Sequence, residues 1–190
     1  MKKLIAVLAI AMFSTASFAQ TTWTNDKMHS KLTFTVTHLG ISDIFGLFKD
    51  FTVNVTNTKA DFSDAKFELT ANTASINTEV EPRDNHLKSA DFFDVATFPT
   101  MTFKSTGIKT VSKDKYLLTG DLTLHGVTKS VSLDLWFRGT TTNPMSKKAV
   151  TGFQLTGKID RSAFGVGSKF PNAMVSNDVF IKADGEFGQN

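Results

Sequence analysis

The sequence predicts an all-β domain of about eight antiparallel strands closing into a barrel with one short helix. Three observations carry that expectation. Apolar residues alternate with polar ones at period two through most of the chain, the mark of half-buried strands. The alternating runs are separated by turns rich in Gly, Asn, Asp and Lys, and a meander with one apolar face defaults to antiparallel pairing. The 190 residues suffice for one sizeable core but not comfortably for two.

The first residues stand apart from this pattern. Lys2 and Lys3 precede an apolar run from Leu4 to Phe13, and Ser17-Phe18-Ala19 follows. That order reads as a cleaved secretory signal over residues 1–19, with the mature domain occupying 20–190. The run is too short to span a bilayer, which takes about 20 residues. Without Lys2 and Lys3 the charges stand at 19 basic to 18 acidic. No basic run is present to follow a phosphate backbone, so nucleic acid is not an expected partner. The chain has no cysteine, which excludes disulfides, thiolate metal sites and a lipidated cysteine anchor.

In the first strand Leu32, Phe34, Val36 and His38 share a face, with Thr33, Thr35 and Thr37 opposite. Phe51, Val53 and Val55 repeat the pattern, as do Phe67, Leu69 and Ala71, then Met101 and Phe103. Tyr116, Leu118, Leu122 and Leu124 follow, with Gly120 between them, and Val131 to Phe137 form another set. Phe153, Leu155 and Ile159, then Val179, Ile181, Ala183 and Phe187, complete the series. Pro82-Arg83-Asp84 leads into a short helix expected from His86 to Phe93, with Asp84 capping its first turn. Gly165, Gly167 and Pro171 mark a loop before the last strand. Strand periodicity alone is equally consistent with a two-sheet sandwich. A membrane-embedded barrel fits less well, because the aromatics sit mid-strand rather than in girdles; no stable membrane insertion is expected.

Eighteen phenylalanines stand against one tyrosine, a choice that supplies apolar area with no polar atom to satisfy. Most such rings fill a core. Those outside the strand pattern, at Phe45 and Phe48, Phe92 and Phe93, Phe98, and Phe164 and Phe170, can instead surround a barrel mouth and receive an apolar guest. Signatures of catalysis are missing. The stretch from Gly165 to Lys169 is neither a nucleophile elbow nor a dinucleotide fingerprint. The four histidines, His29, His38, His86 and His125, have no zinc-binding spacing, and the acid pairs Asp91/Asp94 and Glu79/Glu81 read equally as solvated turn charges. No cofactor motif is found, and no enzyme is expected.

Four segments together carry a resemblance. Asp26-x-x-His29-Ser30 leads to Phe34, His38 and then Gly46-Leu47-Phe48. Arg83-Asp84-x-His86-Leu87 is followed by Ser89, Asp91-Phe92-Phe93-Asp94, Phe98-Pro99 and Phe103. Gly120-Asp121-Leu122 runs into His125-Gly126-Val127-Thr128-Lys129. Asp160-Arg161 precedes Phe164-Gly165, and Asp178 precedes the last strand. The chain thereby resembles the YceI-like, lipocalin-like polyisoprenoid-binding family. The resemblance implies an extended eight-stranded lipocalin-like barrel, a periplasmic location, no catalytic residues, and a tunnel for an isoprenoid or similar long-chain amphipathic lipid. A homodimer stays open.

On this reading the inward residues Phe34, Val36, Phe103 and Leu122 and the ring of Phe48 contact the tail. His38, Arg83, His86, Phe92 and Phe93 stand near the mouth, with Arg83 at the head. Burying about 30–40 carbons at roughly 0.8 kcal/mol each exceeds the ceiling on measured affinities, so discrimination falls to cavity length and a few polar groups. Two rivals remain: an enzyme on a quinone or fatty amide with His38 or His86 as base, and an interaction protein whose barrel is filled by its own rings.

Overall fold

The computed structural model describes residues 20–190; the segment read as a signal lies outside them. In chain order the elements are β1 (Thr21–His38), β2 (Ser42–Phe48), β3 (Phe51–Asn57), β4 (Lys66–Asn72), β5 (Ile76–Asn77) and α1 (Glu81–Lys88). Then come β6 (Thr100–Ser112), β7 (Lys115–Leu124), β8 (Val127–Thr142), β9 (Ala149–Asp160) and β10 (Val175–Gln189). All pairings are antiparallel, and β10 pairs with β1 to close the sheet. The ring runs β1, β3, β4, β6, β7, β8, β9, β10, an eight-stranded barrel; the sandwich alternative is excluded.

The two extra strands have a simple cause. β1 is 18 residues long and slips register between Asn25 and Ser30. Its first half pairs with β3 and its second half with β2. The slip is built locally: the Asp26 carboxylate accepts from the Met28 N–H at 2.8 Å and meets His29 Nδ1 at 2.8 Å. An inserted bulge of this kind bends and twists its strand. Two expectations are corrected here. Phe45 and Phe48 lie in strand β2, not a loop. α1 starts at Glu81 and ends at Lys88, so Asp84 sits inside it, and Phe92 and Phe93 follow in turns. The N-cap is Val80, which makes no side-chain cap, and Pro82 helps open the first turn, where its missing N–H costs nothing.

One barrel end is sealed. Phe62, in the loop between β3 and β4 and 2% exposed, packs on Trp23, Phe137 and Phe153 at 5.7, 4.8 and 5.0 Å between ring centres. The Trp23 indole N–H donates to Asn57 Oδ1 at 2.8 Å, and the Tyr116 hydroxyl donates to the Asp61 carbonyl. These bonds anchor the loop that carries the plug. At the other end the chain supplies α1 and the loop from Gly165 to Met174, with no comparable plug.

Candidate functional site: an apolar channel with one open end

Between these ends lies a cavity of about 400 Å³, within the range of small-molecule sites, roughly 300–1,000 Å³. Its lining on β10 runs from Val175 to Phe187. That stretch spans about 40 Å of strand, or about 30 Å along the axis of a barrel with ordinary strand tilt. The cavity is thus elongated along the barrel axis. Ten phenylalanines line it, with Leu, Val and Ile filling most of the rest. The barrel is therefore not packed solid by its own rings.

Inward glycines keep the channel open. Phe34 on β1 lies directly opposite Gly46 on β2, and a Cβ at Gly46 would stand 2.3 Å from the Phe34 ring. The same close approach recurs with Phe103 and Gly120, which sits diagonally from it across the β6–β7 ladder, at 2.4 Å, and with Leu133 and Gly157, at 2.3 Å. Each large side chain leans over the bare backbone of the next strand and so lies along the wall, not across the lumen.

All ten residues expected at the site line this channel: Phe34, Val36, Phe103 and Leu122 on the strands, Phe48 at the end of β2, and His38, Arg83, His86, Phe92 and Phe93 toward the open end. Of the other rings expected at the mouth, Phe170 also lines the channel, whereas Phe45, Phe98 and Phe164 do not. Phe45 faces outward at 50% exposure, because its neighbours Ile44 and Gly46 take the inward positions. Phe98 packs against His125 at 4.6 Å and covers Gly126, while Phe164 is buried outside the lining.

The mouth joins two segments. Phe92 stacks on Phe170 at 4.6 Å, and His86 meets both rings edge-on at 5.1 and 5.5 Å. Asp91 bridges the same segments, pairing with Lys169 at 2.5 Å and His86 at 3.3 Å. Lys169 first and His86 second lower the Asp91 carboxyl below its usual range.

Arg83 is held from behind. Its Nε donates to the Thr78 hydroxyl at 2.7 Å and Nη2 to the Thr78 carbonyl at 2.8 Å. The Thr78 N–H and hydroxyl donate to the buried Asp84 carboxylate at 2.7 and 2.5 Å. Asp84 thus orders the loop that orients Arg83, in place of the capping role expected of it. Nη1 of Arg83 has no protein acceptor among the described residues, which leaves it available to a guest.

Arg161 is marked in the sequence only by the resemblance, without a role, and its place at the site is what sequence reasoning missed. It is 4% exposed, forms part of the channel wall, and places all five N–H donors on backbone carbonyls. Nε donates to Ser176; Nη1 donates to Val166 and Gly167, both at 2.8 Å; Nη2 donates to Phe170 and Val175, both at 2.7 Å. Burial lowers its proton affinity and the neighbouring Asp160 opposes that. The guanidinium is a clamp on the mouth loop with no donor left for a ligand. A signal was present: the chain has three arginines among its 21 basic residues, and this one precedes a loop containing Gly165 and Gly167.

Comparison with known proteins agrees with this architecture. The YceI-like domain matches residues 23–187. The chain belongs to the YceI-like family. A UPF0312 protein of Staphylococcus aureus strain USA300 is 40% identical over 171 residues, covering 88% of this chain and 97% of the relative. Among solved structures, Burkholderia cenocepacia BcnA superposes with a TM-score of 0.77 at 25% identity, covering 85% of this chain and 98% of that one. The Campylobacter jejuni YCEI protein superposes with a TM-score of 0.74 at 28% identity, covering 98% and 99%. A polyisoprenoid binding domain from Saccharophagus degradans shares the fold, with a TM-score of 0.66 at 15% identity over 89% of this chain and 98% of that domain.

Proposed function

We propose that this YceI-like protein is exported to the periplasm, where it carries or stores a single long-chain amphipathic lipid, an isoprenoid or a lipid of similar shape. The observation that carries the reading is the channel: about 400 Å³, elongated along the barrel, closed by the Phe62 plug and lined by rings that ask for no hydrogen bond. Such a wall rewards apolar length. The Saccharophagus degradans neighbour is a polyisoprenoid binding domain, which supports the same ligand class, and the residues before the family match have the composition of a leader.

In this reading the tail lies along Phe34, Val36, Phe48, Phe103 and Leu122, while the head stays near the mouth. Arg83 offers its free Nη1 there, and His38, His86, Phe92 and Phe93 surround the opening. The test is thermal stability of delipidated protein titrated with a long polyprenol and with farnesol. A ligand of the folded state raises the melting temperature with concentration. The long chain should raise it at far lower concentration than farnesol. Equal responses, or none, would overturn the reading.

A further inference from the structure

The channel reaches solvent beside an exposed apolar rim. Four lining residues are exposed: His38, His86 and Met174 at the mouth, and Lys31 further down the wall. Met174 is both wall and rim, at 43% exposure, and its carbonyl accepts from the Leu39 N–H at 2.9 Å. Leu39 and Ile41 form the tip of the β1–β2 hairpin at 52% and 86% exposure. Below the tip, Phe45 and Phe180 flank Thr35 on the outer wall, at 50% and 56% exposure.

The tip is costly in two ways. Leu39 has φ +51° and Gly40 φ +71°, a left-handed conformation in which Asn or Gly at position 39 would be less strained. Leu39 and Ile41 also leave large apolar side chains in water. Neither residue lines the channel, so holding the cargo does not explain them.

We propose that Leu39, Ile41 and Met174 dock the mouth onto a lipid bilayer, so that cargo passes between membrane and channel without crossing water. The inference rests on the lipid-carrier reading, because continuity between rim and channel is what points to a bilayer as the occupant. A long apolar chain exposed to water during transfer would forfeit the gain that holds it, and an apolar rim at the mouth removes that exposure. Two lysines beside the rim are paired, Lys169 with Asp91 and Lys158 with Asp178, and the hairpin segment 39–48 carries no Lys or Arg. Docking is therefore apolar, unlike the salt-sensitive attraction of a polybasic patch.

The experiment is flotation of the mature protein with phosphatidylcholine vesicles, and with vesicles containing phosphatidylglycerol, at low and high salt. Wild-type protein should float with both and respond little to salt. The Leu39→Asn/Ile41→Asp variant should lose about tenfold or more in partitioning. Its melting temperature should be unchanged or higher, since Asn suits the left-handed position. Equal flotation of the variant, or absence of wild-type flotation, overturns the proposal. Conversion of a wild-type dimer to monomer by the same variant, without vesicle binding, would assign the rim to a second copy and also overturn it. Lipid extracted from purified protein that does not bind vesicles overturns the docking surface alone; absence of extractable lipid bears on the carrier reading alone.

Discussion

The Phe34 ring lies over Gly46, its partner directly across the β1–β2 ladder, where a Cβ would come within 2.3 Å of the ring. The open lumen depends on this relationship, because the ring lies flat only while position 46 has no side chain. Gly46→Ala should push Phe34 toward the lumen at a stability cost of about 1–3 kcal/mol, typical of overpacking. Bound lipid per protein should fall by a larger fraction than stability does. Mass spectrometry of extracted lipid together with denaturant unfolding checks both; unchanged lipid content would show that the glycine serves folding only.

Leu122 tests the inward face. It lies on the wall opposite Phe103, and Leu122→Asp would place a carboxylate in the channel. The charge must be desolvated or neutralised, at a cost of several kcal/mol. Wild-type stability and lipid content in this variant would contradict the face assignment.

The strand faces were legible because alternation assigned Phe34, Val36 and Leu122 to one side without any tertiary information. β2 was not, since its outward Phe45 and inward Gly46 invert the usual apolar code and a glycine under a ring leaves no trace in hydropathy. The resemblance drew attention to Asp26 and His29, to His125 and Gly126, and to Asp160 and Arg161. In the fold these serve a strand bulge, a two-residue hairpin turn with φ +51° and +74°, and the clamp on the mouth loop. Only the folded loop reveals the clamp, because its five acceptors are backbone carbonyls that any residue carries.

Arg161→Met removes every donor from that clamp and strands several buried carbonyls. Each costs about 1–3 kcal/mol, so a loss of at least about 3 kcal/mol is expected. Arg161→Lys should recover only part of it, since an ammonium has three donors without the planar fork. Hydrogen exchange of residues 165–175 should rise in both variants. Full rescue by Lys would argue against the carbonyl clamp.

Asp91 joins the two mouth segments through Lys169 and His86, and its pKa in the folded protein is lowered. A lowered carboxyl stabilises the fold above its unfolded pKa, roughly 4, and that contribution is lost as pH falls through the folded value. Protection of the mouth segments, taken relative to the intrinsic exchange rate at each pH, should therefore fall as pH drops below about 4, and Asp91→Asn should remove this step. A step surviving in Asp91→Asn would assign it to another carboxylate.

Arg83 separates holding a ligand from holding the fold. Arg83→Ala should reduce lipid retention more than melting temperature, because Asp84 and Thr78 keep their own bonds, and Phe93→Ala should widen the range of tails accepted. Equal fractional losses for Arg83→Ala would make its role structural.

Every ligand prediction above depends on one long apolar chain occupying the channel. Solvent extraction and mass spectrometry of the protein purified from the envelope of its own host addresses that occupancy without any substitution, and intact mass reports the mature N-terminus. The expected result is a chain beginning at Gln20 and close to one long-chain isoprenoid or similar lipid per protein. Protein recovered without stoichiometric lipid would contradict it.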